Sequence, residues 1–139
     1  MHVAKPAPAS DEKIARDALL ALMKTIQRLV GPNGCIEDRL VAPEAYLKYI
    51  QDEITELLEA WGTPEQPKEM GDVVICALSL VVKTNPTALI EANAKLLRRH
   101  PHVFGDPKGL FGDFLPVQSA EDAQLVWAHA KKCEKEGLL

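Results

Sequence analysis

The sequence predicts an all-α protein: a bundle of about five helices joined by short turns, with one long loop at about 100–118. Three observations carry that reading. Apolar residues recur near the 3.6-residue period through several long segments. No stretch alternates apolar and polar residues, and no Asn-Gly turn joins two such runs. Breaker clusters such as "GPNG", "GTP" and "NP" punctuate the periodic segments.

Each helix has its own signals. Ser10 is the expected N-cap of the first, with Asp11 and Glu12 in the turn where the helix dipole favours acids. Its stripe is Ile14, Ala18, Leu19, Leu22, Ile26 and Leu29, and "GPNG" at 31–34 stops it. Pro43 suits the first turn of a second helix, whose stripe is Leu47, Ile50, Ile54, Leu57, Leu58 and Trp61. "GTP" at 62–64 ends it. A third helix starts near Pro64 to Pro67 and runs to about Thr84. Its segment from Val73 to Val82 is apolar nearly all round, which predicts burial on most sides. Pro86 opens a fourth helix to about Arg99. "HPHVFGDPKGLFGDFLP" then reads as the long loop, packed down by Phe104, Phe111 and Phe114. Ser119 caps a fifth helix with Glu121 and Asp122 in its first turn, and Gly137 ends it. The short turn between the second and third helices makes them antiparallel neighbours.

The 139 residues suit one domain. Residues 1–10, Pro/Ala-rich and without the apolar stretch of a secretory signal, are expected to be a disordered tail, and 11–139 a single domain. The net charge of -4 argues against a general affinity for nucleic acid or anionic membrane. A membrane-spanning helix needs about 20 apolar residues, far more than the run ending at Val82. Cys35, Cys76 and Cys133 are far apart and form no CxxC pair, which argues against a disulfide framework or a thiolate zinc site. They point to a reducing, cytoplasmic compartment, with Cys76 as a small core residue.

The chemistry is concentrated in "EITELLEAWGTPEQPKEMGD", 53–72. Glu53 and Glu56 share a helix face, and so do Glu69 and Asp72. A hairpin of the two helices sets the pairs opposite each other beside an apolar core. Clustered carboxylates repel and desolvate badly; a hard divalent cation among them relieves both, and Mg²⁺ favours carboxylate oxygens and brings bound phosphates with it. Such spacing is also common on solvated helices, and Asp72 equally suits a helix N-terminus. A second cluster lies in "EANAKLLRRHPHVFGD", 91–106. Lys95 and Arg99 are i, i+4 neighbours, a point charge and a bidentate fork for phosphate, or the basic end that a helix dipole favours. Trp127 and Lys131 are i, i+4 in the last helix, where a Trp is more often core than a stacking platform. His100 and His102 lack a helical metal spacing.

These motifs together resemble the MazG family of nucleoside triphosphate pyrophosphohydrolases. The family pattern of ExxE followed by ExxD is matched by Glu53, Glu56, Glu69 and Asp72, with "EMGD" for the family's "ELGD". "AKLLRRHPHVFGD" is nearly the family's most recognisable segment, "VWAHAKKCEKEG" resembles its closing helix, and "GPNGCIEDR" its opening one. The likeness runs over about 14–137. It implies a MazG-like helical bundle, a homodimer or dimer of dimers, and hydrolysis between the α and β phosphates dependent on Mg²⁺ or Mn²⁺. By position, Glu53, Glu56, Glu69 and Asp72 would bind metal and serve catalysis. Lys95, Arg99, Trp127 and Lys131 would bind the substrate. The departures are Ile36-Glu37 for the family's Pro-Trp, "VAPEAY" at 41–46, Asp52 for the first of two adjacent Glu, and Lys68 where an acid usually stands. They keep two alternatives open: a narrower dUTP or dCTP pyrophosphatase, and a catalytically weak or inactive binding or regulatory module.

Overall fold

Helix formation starts at α1 (Ala9–Val30) in the computed structural model, which describes residues 8–139. The expected tail falls largely outside the described residues. Among those described there are seven α-helices, one 3-10 turn and no strand, so the all-α prediction holds. The chain divides into two compact units, one ending at Pro86 and one from Thr87 to Leu139.

The first unit holds α1, α2 (Ile36–Leu40), α3 (Ala45–Ala60) and α4 (Gln66–Thr84). Ser10 is not the cap of α1. Pro8 occupies the N-cap, its carbonyl accepts from the amides of Asp11 and Glu12, and Ser10 lies inside the first turn. "GPNG" ends the helix as expected, with the Gly34 amide donating to Gly31 O and the Cys35 amide to Leu29 O. A Cβ at Gly34 would fall 2.0 Å from Leu29 O, so the chain turns there only with glycine.

α2 was not anticipated. Five residues are too few to show a period or to be stable alone. It is held from a distance: Lys83 of α4 donates to the carbonyls of Asp38 and Val41, both at 2.6 Å, with the Tyr46 ring 5.4 Å from the ammonium. α3 and α4 make the most extensive helix contact. Their connection turns at Gly62, φ +79°, whose amide donates to Gln66 Oε1, while Thr63 Oγ1 donates to Ala60 O.

Among the described residues of this unit, Ile26, Tyr46 and Ser79 are buried. Between Val73 and Val82 only Val74 and Ile75 are exposed, so the burial expected on most sides of that segment is found; Met70, outside it, is exposed as well. The α3 stripe is divided. Ile50 and Leu57 are half-buried, while Leu47, Ile54, Leu58 and Trp61 form an exposed line, Leu58 at 71%.

The second unit holds α5 (Ala88–Arg99), α6 (Pro101–Phe104), a 3-10 turn (Gly112–Phe114) and α7 (Ala120–Lys135). The segment read as a long loop is therefore partly helical. Pro101 opens α6 at its first position, a start signal too close to the end of α5 to stand out. The Asp106 carboxylate accepts from the amides of Leu110 and Phe111, fixing the rest. Phe111 is buried with Val126 and Ala130, Phe114 packs against them, and Phe104 stays exposed. Ser119 caps α7 as expected, its Oγ accepting from the Asp122 amide at 3.0 Å, and Gly137, φ +74°, follows its end. Among the described residues no single helix is long and apolar enough to cross a membrane.

Candidate functional site

The hairpin determines what meets what. Glu53 on α3 and Asp72 on α4 lie nearly equidistant from Thr63 in the turn, so packing the two helices brings their acidic faces together. One carboxylate oxygen from each of Glu53, Glu69 and Asp72 lies within 4.8 Å of the others. Glu56 is exposed and outside that trio, one turn along α3 from Glu53.

The cluster is electrostatically strained. Burial, first, and then the charges of Glu56, Asp72 and Glu69 and the hydrogen bond with Glu56 push the Glu53 carboxyl above its ordinary 4.5. Oε2 of Glu53 and Oε2 of Glu69 are buried with no hydrogen-bond partner among the described residues. A buried carboxylate oxygen left bare costs about 1–3 kcal/mol. The donor set is all oxygen, which suits a hard divalent cation. The orphaned oxygens are the feature such a cation would satisfy, so these residues fit one.

Two neighbours modify the site. Lys68 Nζ is 3.0 Å from Glu69 Oε1 and 3.2 Å from Asp72 Oδ2, with its side chain 64% exposed. The hydrogen bonds to Glu69 and then Asp72, with their charges, hold its ammonium well above the usual lysine range. Cys76, one turn beyond Asp72, is half-buried rather than core. Burial and then the charges of Glu53 and Asp72 push its thiol up. The three cysteines are free.

In the second unit α5 and α7 pack together. Arg99 and Trp127 meet, with the guanidinium carbon 4.7 Å from the ring centroid, and His100 sits edge-on to the same ring at 5.5 Å. The guanidinium is also engaged by Glu134, Nη2 to Oε2 at 2.9 Å and Nε to Oε1 at 3.1 Å, and Arg98 Nε reaches the same carboxylate at 3.3 Å. The Arg99 hydrogen bond, ahead of the other influences, holds the Glu134 carboxyl below its ordinary range. Lys95 and Lys131 are exposed and make no ion pair among the described residues.

Of the eight residues singled out from the sequence, the structure thus brings together Glu53, Glu69 and Asp72 with Glu56 at their edge, and separately Arg99 with Trp127. Sequence reasoning named Lys68 and Cys76 without placing them against the acids, and it did not single out Glu134. Lys68 stands four residues before Asp72, a helical ion-pair spacing that was legible. Cys76 stands four after it. Glu134 needed the packing of α7 on α5, which no local signal carries.

Comparison with known proteins agrees with the motif reading in part. The chain is 34% identical to the nucleoside triphosphate pyrophosphohydrolase/pyrophosphatase MazG of Thermotoga maritima, over 63% of this chain and 38% of that protein. It is MazG-like in sequence over that stretch. It is also 31% identical to YabN, an uncharacterized protein of Bacillus subtilis, over 92% of this chain and 27% of that protein. The chain therefore spans between about a quarter and two fifths of the length of these relatives. No protein-family model matches it, and no solved structure does.

Proposed function

We propose that the chain is a divalent-metal-dependent nucleoside triphosphate pyrophosphohydrolase, cleaving between the α and β phosphates to give the monophosphate and pyrophosphate. The observation that carries this is the trio of Glu53, Glu69 and Asp72, with two buried oxygens lacking partners, in a chain similar to a MazG pyrophosphohydrolase. Glu53, Glu69 and Asp72 would hold Mg²⁺, or Mn²⁺ in its place, and Glu56 would complete the set from the edge. The bound metal supplies charge neutralisation at phosphate and a water of lowered pKa. The carboxylates fix that charge against a rigid helical floor and orient the attacking water. Lys95 and Arg99 would meet the phosphates, a point charge and a fork, and Trp127 and Lys131 would lie near the nucleotide, with Arg99 and Trp127 already held against each other.

We also propose a homodimer or dimer of dimers in the cytoplasm. Leu47, Ile54, Leu58 and Trp61 form an apolar line on α3 that stays exposed among the described residues, the kind of surface that marks an interface. Incubation with Mg²⁺ and a panel of ribo- and deoxyribonucleoside triphosphates, read as pyrophosphate and monophosphate, tests the activity. Inorganic phosphate as the product, or no turnover by the folded protein, would defeat it; turnover of dUTP or dCTP alone would narrow it.

A further inference from the structure

Lys68 lies at the acid cluster without belonging to its donor set. Its ammonium takes the outer oxygens, Glu69 Oε1 and Asp72 Oδ2, in two ion pairs. The inner oxygens, Glu53 Oε2 and Glu69 Oε2, remain buried without partners. Glu69 is therefore shared, one oxygen to the lysine and the other to nothing. The charged groups that meet the ammonium are Glu69 and Asp72 on its own helix, and Glu53 clusters with those two acids from across the hairpin. The three clustered carboxylates carry three negative charges when ionised, and one tethered positive charge already cancels part of them.

We propose that Lys68 is a resident counter-cation that competes with the divalent metal for Glu69 and Asp72 and so sets the metal affinity of the site. This rests on the acid cluster being a metal site. A divalent ion seated on the inner oxygens meets a like charge nearby, and one seated on the outer oxygens displaces the lysine. Both routes weaken metal binding. The lysine in return holds the acids together when no metal is bound. The chain thereby favours metal arriving with phosphate, whose own negative charge offsets the ammonium.

The test is calorimetric titration of the full chain with Mg²⁺ and with Mn²⁺, for the unaltered protein, Lys68→Gln and Lys68→Arg, alongside melting curves without metal. Lys68→Gln is expected to bind each ion about tenfold more tightly, the size of a single close charge interaction at a partly exposed site, and to melt at a lower temperature without metal. Lys68→Arg, which keeps the charge, is expected to behave as the unaltered protein. Binding by Lys68→Gln alone would also support the proposal. Equal or weaker binding by Lys68→Gln, or equal tightening by Lys68→Arg, overturns the role of Lys68 and leaves the metal site standing. Absence of binding by all three overturns both.

Discussion

Glu53 is the residue at which ionisation works hardest against folding. Its carboxyl is raised above the ordinary 4.5 by burial and by three neighbouring acids. A raised carboxyl contributes stability that is fully present below 4.5 and lost as the pH rises through the raised value. The metal-free protein is therefore expected to lose melting temperature across that window, and Glu53→Gln to lose less; melting curves from pH 4 to 8 compare them. Glu134 has the opposite sign. Held low by Arg99, it contributes stability present above 4.5 and lost as the pH falls through its lowered value. Glu134→Gln is expected to lower stability at neutral pH by about 1–3 kcal/mol, since Arg98 and Arg99 lose a largely buried charged partner; the urea midpoint reads this, and the gap between the two proteins should close on acidification. Glu53, Glu69 and Asp72 were legible as residues because helical spacing and a short turn suffice to juxtapose them. Glu134 was not, because its role depends on which face of α7 meets α5.

At the scale of the element, the chain was legible wherever a local signal decided the outcome. "GPNG", the turn at Gly62 and the Ser119 cap all lie where their chemistry put them. Gly34→Ala is expected to cost more than about 1 kcal/mol, because its Cβ would collide with the Leu29 carbonyl. Ser119→Ala should cost about 1 kcal/mol, and Ser119→Asp should retain most of the cap. Chemical denaturation measures all three. Elements decided by distant contacts were not legible. α2 exists because Lys83 holds its last carbonyls, and the partly helical 101–114 segment because Asp106 and the Phe111 core fold it back.

For the whole molecule, the apolar period of α3 announced a helix but not how much of its surface its own chain would cover. A third of that stripe, Ile50 and Leu57, is half-buried and the other two thirds stay exposed, and α4 adds the exposed Met70, Val74 and Ile75. Leu58→Glu is expected to leave the chain folded and shift it to a smaller assembly, read by sedimentation velocity; an unchanged sedimentation coefficient would remove the α3 line from the interface. The most direct test of the account is pyrophosphate release from nucleoside triphosphates with and without Mg²⁺, for the unaltered protein and Glu53→Gln. Release is expected to require the metal and to disappear in the variant. Release unaffected by chelation, or retained by Glu53→Gln, would contradict it.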